Sequence, residues 1–200
     1  MKNELRDLYN SKKEEIKLRL SKFNNLDEDK QFKEMLFCLL TPQSKAQKCW
    51  QAVEEISKLK EWNRNNISNI LRKYTRFHNN KTGYILESSK TWQLISPNLN
   101  NKDRMNLRNF IADNVKGYGL KESGHFLRNI GKSDNQIAIL DRHILRNLKE
   151  LGVIENDKIK NKRNYFDIEN KFLDFSKSIG IPIDELDLLF WSKENGEIFK

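Results

Sequence analysis

The apolar residues of this chain recur at the three- and four-residue spacing of amphipathic helices, and the alternation typical of strands is nearly absent. A first long segment carries its apolar side chains at Leu5, Leu8, Tyr9, Ile16, Leu18 and Leu20. A second segment covers residues 27–40 and should end before Pro42, because proline lacks a backbone N–H and disfavours helix at the preceding residue. The pattern therefore predicts an all-α fold.

The same spacing predicts further helices, which turn-forming Asn and Gly residues separate. They cover residues 46–59, 67–74, 84–95, 105–115, 119–130 and 165–179, and two more open at Asp141 and Asp184. The run at 155–164 is rich in Lys and Asn, and we expect it to form an exposed loop. No repeat or linker divides residues 1–200, so a single helical unit is expected.

The composition narrows the classes of function. Lys and Arg number 37 against 28 Asp and Glu, and the formal net charge of +9 favours a polyanionic partner without naming it. No run approaches the roughly 18 apolar residues of a membrane helix, and the opening MKNELRDLYN lacks the apolar core of a signal peptide. The two cysteines, Cys38 and Cys49, cannot supply the four thiolates of an iron–sulfur cluster. We therefore expect a cytoplasmic protein with reduced thiols.

A glycine-rich turn stands between two of the predicted helices. Residues 115–123 read Val-Lys-Gly-Tyr-Gly-Leu-Lys-Glu-Ser, with Gly117 and Gly119 on either side of an aromatic residue. Glycine permits positive φ and close backbone approach, so such a turn and the helix that follows can present bare N–H groups to a phosphate. By itself the pattern is more typical of a tight turn that binds nothing.

Two residues with complementary chemistry follow the glycines. Lys121 lies two residues after Gly119, and Asp141 opens a later helix in the sequence Asp-Arg-His. Taken alone, Lys121 is typical of an exposed lysine, and Asp141 is typical of an N-cap whose side chain accepts a backbone N–H. Their placement relative to both glycines gives the pair more weight than either residue has alone.

This arrangement resembles the helix-hairpin-helix motif of the endonuclease III superfamily of base-excision DNA glycosylases. The run Lys-Glu-Ser-Gly-His-Phe-Leu-Arg-Asn-Ile-Gly at 121–131 and Ile-Leu-Asp-Arg-His-Ile-Leu at 139–145 are most similar to the second type of 8-oxoguanine DNA glycosylase, found in archaea and some bacteria. The likeness covers most of the chain. It implies a hairpin motif at about residues 105–131, a catalytic helix that starts at 141, and two helical lobes flanking a DNA-binding cleft.

The resemblance also implies how the pair acts. Lys121 would attack the sugar C1′ as an amine nucleophile, and the resulting Schiff base would lead to strand cleavage by β-elimination. Because attack needs a neutral amine and free lysine has a pKa of about 10.4, we expect burial and the helix N-terminus to lower the pKa of Lys121. Asp141 would stabilise positive charge on the sugar or help to move protons.

Upstream, the segment Leu-Leu-Thr-Pro-Gln-Ser at 39–44 resembles the part of these glycosylases whose amide side chain enters the duplex when the target nucleotide leaves it. Flipping a base costs a few kcal/mol of stacking. A donor–acceptor amide that pairs with the orphaned base can recover part of that cost. Gln43 is the candidate for this filler, and the alternative is a helix-start residue that merely follows Pro42.

Three residues are candidates for the lesion pocket. Phe77 and Trp191 could stack on the extruded purine, although each aromatic taken singly is more often a core residue. Stacking does not distinguish 8-oxoguanine from guanine, so a polar group is also required. The ending Gly-Glu-Ile-Phe-Lys resembles the terminus of this glycosylase type, in which the final lysine, here Lys200, and its carboxylate help to read the lesion. An acceptor there would pair with the N7–H that guanine lacks.

Other polar residues have two interpretations each. His125 could share a helix face with Lys121 and make a structural or phosphate contact. Arg128 and Arg146 could meet phosphates or pair with nearby acids. His78, His125 and His143 show neither close ligand spacing nor the company of the cysteines, so no metal is expected, and no cofactor is implied.

Competing functions require fewer of these features. A non-enzymatic helix-hairpin-helix module that holds DNA for a partner needs the glycines and the charge, but not Lys121, Asp141, Gln43 and the ending together. A pyrimidine glycosylase like endonuclease III would usually carry four cluster cysteines, and the adenine-mismatch and alkylbase branches usually lack the lysine. The expected partner is double-stranded DNA containing 8-oxoguanine, bound by a monomer in the nucleoid of a prokaryotic cytoplasm and not at a membrane.

Overall fold

The computed structural model describes residues 2–200, apart from the side chains of residues 2, 194 and 195. Within this range the regular structure is helical, and no strand is found, so the all-α prediction is confirmed. The α-helices are α1 (Lys2–Ser21), α2 (Glu28–Leu40), α3 (Ala46–Ser57), α4 (Arg64–Tyr74), α5 (His78–Ile95), α6 (Arg104–Asn114), α7 (Leu120–Asn129), α8 (Arg142–Glu150), α9 (Lys162–Ile179) and α10 (Ile183–Asn195), with a short 3-10 turn at Ser96–Asn98. None of the helices within residues 2–200 is long and apolar enough to cross a membrane.

Short polar side chains set the starts of several helices. The N-cap residues of α2, α4, α6, α8 and α9 are Asp27, Asn63, Asp103, Asp141 and Asn161. Each accepts a hydrogen bond from a backbone N–H two or three residues later, which satisfies a donor that the helix itself leaves unpaired. Local sequence therefore fixes these boundaries.

Helix α5 departs most from the sequence prediction, because it begins at His78 and not at Tyr84. Asparagines and Gly83 make this stretch a poor helix former by propensity. However, the side chains of Lys81 and Thr82 are buried in the first turns of the helix. Tertiary packing thus overrides a weak local preference.

Two smaller corrections concern α1 and α9. Leu18 is one of the apolar positions that predict the first helix, but its side chain is 59% exposed. It lies two residues from the fully buried Ile16 and so on another face of α1. The predicted loop at 155–164 is shorter than expected, because α9 begins at Lys162. The cap at Asn161 explains this early start.

The chain contacts divide into two compact units. One combines Met1–Asn24 with Gly131–Lys200 and contains α1, α8, α9 and α10. In this unit Phe172 of α9 stacks on Phe190 of α10 with ring centroids 5.9 Å apart. The Tyr9 hydroxyl of α1 donates to Glu185 of α10 at 2.5 Å. Both contacts converge on α10, which holds the unit together.

The other unit, Asn25–Ile130, contains α2 to α7. Helix α2 is its centre, with residues 35–40 buried and with α3, α5 and α7 packed against it. Buried Glu34 of α2 accepts a hydrogen bond from Asn129 of α7 at 2.9 Å. This contact fixes the helix that carries Lys121 against the core of the unit.

Candidate active site

The turn between α6 and α7 depends on one of its two glycines. Gly117 has φ +93°, and a Cβ placed there would lie 2.6 Å from Cδ2 of the Tyr84 ring. Gly119 has φ −124° in extended backbone, which any residue can adopt. The steric need for glycine in this turn therefore falls on Gly117, where the Tyr84 ring leaves no room for a side chain.

Tyr118, between the two glycines, anchors the turn to the core. Its hydroxyl donates to the carbonyl of Met35 at 2.8 Å, and its ring tilts against Phe126 with centroids 6.4 Å apart. Burial raises the pKa of the Tyr118 hydroxyl well above its ordinary value, so the group stays protonated as a donor. The turn is consequently held from its centre by a side chain that points inward.

Lys121 lies in the first turn of α7 with its side chain 25% exposed. Its Nζ is 3.1 Å from Oε1 of Glu122, and Oε2 of the same carboxylate accepts the N–H of Gly119 at 3.2 Å. The Gly119 N–H is thus occupied, whereas the sequence suggested a bare donor. Glu122 was not among the predicted site residues, although a glutamate three residues after a helix cap is the sequence signature of such a contact.

Asp141 is the N-cap of α8, and both of its carboxylate oxygens have donors. Oδ1 accepts the backbone N–H groups of His143 and Ile144 at 2.8 and 2.9 Å. Oδ2 accepts the indole N–H of Trp191 at 2.8 Å. Three donors therefore fix the carboxylate at a partly exposed position, so the N-cap and the catalytic interpretations are compatible.

Helix α9 holds the segment that leads into Asp141. Residues 137–140 are buried but belong to no helix or strand, so their backbone needs other partners. Glu169 accepts the N–H of Ala138 at 2.9 Å, and the Tyr165 hydroxyl donates to the carbonyl of Ala138 at 3.0 Å. These contacts fix the chain three residues before the candidate catalytic carboxylate.

Trp191 is held in place by its own helix, α10. Two residues further along α10, the Nζ of Lys193 donates to Asn147 at 3.1 Å and to Glu150 at 3.2 Å on α8. The Trp191 ring is half-buried and tilts against His143 with centroids 5.1 Å apart. The indole was expected as a stacking surface, and the structure adds a hydrogen bond to Asp141.

Gln43 and Phe77 share an unusual backbone. Their φ values are +55° and +56°, in the left-handed region that residues other than glycine rarely adopt. Gln43 is exposed in the turn before α3, which begins three residues later at Ala46, so it is not an ordinary helix-start residue. Phe77 is 55% exposed at the start of α5, so it is not a core aromatic.

The remaining predicted contacts differ in exposure. Arg146 is exposed on α8. His125 and Arg128 of α7 are only 7% and 2% exposed, and the His125 ring packs edge-on against Phe37 at 5.6 Å. Burial favours the structural alternative for these two. Lys200 is 8% exposed, so the final residue is packed against the protein.

The candidate residues fall into both compact units. Gln43, Phe77, Gly117 and Lys121 belong to the Asn25–Ile130 unit, and the other unit contains Asp141, Arg146, Trp191 and Lys200. Among the side chains that the structure describes, no three from His, Cys, Asp or Glu come together as metal ligands would.

Comparison with known proteins gives a consistent result. The family model for 8-oxoguanine DNA glycosylase matches residues 14–181. An 8-oxoguanine DNA glycosylase/AP lyase of Fusobacterium nucleatum is 40% identical, over 99% of this chain and 97% of the relative. The crystal structure of the 8-oxoguanine DNA glycosylase of Thermotoga maritima superposes with a TM-score of 0.90 at 29% identity, over 100% of this chain and 98% of that one.

A second solved structure includes nucleic acid. It is the Methanocaldococcus jannaschii 8-oxoguanine glycosylase/lyase in complex with a 15mer DNA containing 8-oxoguanine, with a TM-score of 0.89 and 31% identity. It covers 100% of this chain and 99% of its own. The chain belongs to the 8-oxoguanine DNA glycosylase family of helix-hairpin-helix proteins.

Proposed function

We propose that this protein is a bifunctional DNA glycosylase and AP lyase that excises 8-oxoguanine from duplex DNA in base excision repair. The proposal rests on the family membership together with two residues. Lys121 lies at the start of α7, and Asp141 at the cap of α8 accepts hydrogen bonds with both carboxylate oxygens. The Methanocaldococcus jannaschii relative was crystallised with DNA that contains this lesion. A formal charge of +9 suits a polyanionic ligand.

In the proposed reaction, the deprotonated amine of Lys121 attacks C1′ and the glycosidic bond breaks. The base leaves with the bonding electrons and takes up a proton, and the sugar ring opens to give an imine between Lys121 and C1′. Loss of a C2′ proton then expels the 3′ phosphate, which nicks the strand. Since Glu122 holds Nζ of Lys121 at 3.1 Å, the amine must leave this carboxylate before it attacks. Asp141 stabilises the positive charge that develops on the sugar.

The other candidate residues are proposed to contact the DNA. Gln43 fills the space left by the extruded nucleotide, while Phe77 and Trp191 stack on the purine and Lys200 contributes to reading it. The hairpin of Gly117 and Gly119 lies against the backbone of the DNA, and Arg146 binds a phosphate. The side chains of His125 and Arg128 are buried, and they help to hold α7 in place. The protein acts as a monomer in the prokaryotic cytoplasm. Its oligomeric state can be measured by sedimentation with and without DNA.

An excision assay tests the function. A duplex with one 8-oxoguanine should be nicked at the lesion, and Asp141→Asn should slow base release severely, because asparagine preserves the cap but removes the charge. Asp103→Asn is the matched control, since Asp103 caps α6 in the same way. If Asp141→Asn and Asp103→Asn are equally active, Asp141 is only a cap. A wild-type protein that binds the duplex tightly but never cleaves it would point to a non-enzymatic module.

A further inference from the structure

Lys81, in the first turn of α5, is a buried cation that no catalytic role explains. It is 4% exposed, and lysine is almost never buried to this degree unless it is paired. Its Nζ donates to the carbonyls of Leu40 and Pro42 at 2.7 and 2.9 Å and to Oγ of Ser44 at 3.0 Å. These three acceptors match the three N–H donors of an ammonium group.

The acceptors of Lys81 all lie in one segment of the candidate site, residues 40–44. Leu40 ends α2, where a cation is favoured by the unpaired carbonyls of the helix terminus. Pro42 and Ser44 lie on either side of Gln43. The cation therefore fixes the chain before and after the proposed space-filling residue.

The same network reaches a second segment of the candidate site, residues 76–77, through Ser44. Oγ of Ser44 also accepts the backbone N–H of Arg76 at 3.0 Å, and the backbone N–H of Lys81 donates to the carbonyl of Phe77 at 3.1 Å. The Lys81 side chain is thus bonded directly to residues 40–44 and, through Ser44, to the backbone of Arg76. Its backbone N–H makes an ordinary helix bond of the first turn of α5, which a residue of another type would keep.

Both segments need such support, because each carries an exposed side chain on left-handed backbone. Gln43 and Phe77 have φ values of +55° and +56°. Strained backbone of this kind persists where the surrounding contacts over-determine it, and it is concentrated at functional sites. The hydrogen bonds of Lys81 and Ser44 supply those contacts.

We propose that Lys81 is a positioning residue for base extrusion, which sets Gln43 and Phe77 in the geometry needed to fill the vacated stack and to hold the extruded purine. This inference rests on the proposed roles of those two residues. The ammonium form required is present at neutral pH, since burial lowers the pKa of Lys81 only to about 8. The neighbouring Cys49 thiol, which shares the Leu40 carbonyl, stays neutral because burial raises its pKa to about 11.

The test separates extrusion from chemistry. Lys81→Met and Ser44→Ala are compared with wild type in single-turnover assays on two duplexes, one with 8-oxoguanine and one with a preformed abasic site that has no purine to extrude. Ser88→Ala is the matched control, because its buried hydroxyl lies on the same helix but donates only to Ile85 within that helix. 2-Aminopurine beside the lesion reports extrusion by its fluorescence.

We expect Lys81→Met to slow 8-oxoguanine excision by about 10- to 100-fold, as misplacement of about 1 Å can do, with a smaller loss on the abasic duplex and a reduced fluorescence change. Ser44→Ala should lower excision by a smaller factor and add little in the Lys81→Met background, while Ser88→Ala should match wild type. Equal losses on both duplexes, or wild-type excision by Lys81→Met, would overturn the role of Lys81. If wild type itself fails to excise 8-oxoguanine, the proposed function fails instead.

Discussion

Replacement of Gly117 by alanine tests whether the hairpin is built as described. Two penalties add at this position. A side chain at φ +93° is strained by about 1–2 kcal/mol. The new Cβ would also lie 2.6 and 2.8 Å from Cδ2 and Cε2 of Tyr84, and such overpacking costs about 1–3 kcal/mol. We therefore expect Gly117→Ala to lower the free energy of unfolding by about 2–5 kcal/mol, measured by urea denaturation.

Two further variants isolate the cause. Gly152 also has positive φ, at +71°, but nothing lies within 4 Å of a Cβ there, so Gly152→Ala should cost only the backbone term of about 1–2 kcal/mol. In a Tyr84→Ala background, Gly117→Ala should lose its steric penalty, so the two substitutions should be strongly non-additive. Equal destabilisation by Gly117→Ala and Gly152→Ala, or additivity with Tyr84→Ala, would refute the packing of the hairpin on Tyr84.

Three more predictions follow from individual contacts. Gly83→Ala, in α5 with open space around its Cβ, should raise the free energy of unfolding by about 0.5–1 kcal/mol in urea denaturation; a loss would show a contact at this face. Trp191→Phe removes the donor to Asp141 and should slow single-turnover excision about tenfold or more with little change in DNA affinity, whereas Trp92→Phe, which removes a comparable donor to a carboxylate, should leave the rate unchanged. The unfolded chain binds more protons than the native protein between the lowered pKa of Lys81, about 8, and its ordinary 10.5. The unfolding free energy of wild type relative to Lys81→Met should therefore rise by about 2 kcal/mol from about pH 7 to about pH 9.5, and a flat difference would contradict the burial of the charge.

The sequence predicted those features that local chemistry determines. Asp141 caps α8 because aspartate followed by helix-forming residues does so in most contexts. The turn at Gly117 could be predicted for a similar reason, since few residues other than glycine tolerate a backbone with φ +93°. The family signature around Lys121 rests on a contiguous run of residues and was confirmed by the comparisons.

The contacts that the sequence did not predict connect distant segments. The indole of Trp191 donates to Asp141 across 50 positions of sequence. Lys81 bonds to carbonyls of a segment about 40 positions away, and backbone acceptors leave no mark in a sequence. The start of α5 at His78 was missed for the same reason, because the burial of Lys81 outweighs the poor helix propensity around it.

In the proposed mechanism, Lys121 forms a covalent intermediate on DNA that contains 8-oxoguanine. Borohydride reduction during turnover traps such an imine as a stable protein–DNA adduct, visible as a shifted band on a denaturing gel. We expect an adduct on the 8-oxoguanine duplex with wild type and with Lys177→Gln, a control that removes an exposed charge at the end of α9. We expect no adduct with Lys121→Gln or on undamaged duplex. Trapping by Lys121→Gln would remove this lysine from the mechanism, and trapping only on oxidised pyrimidines would contradict the proposed substrate.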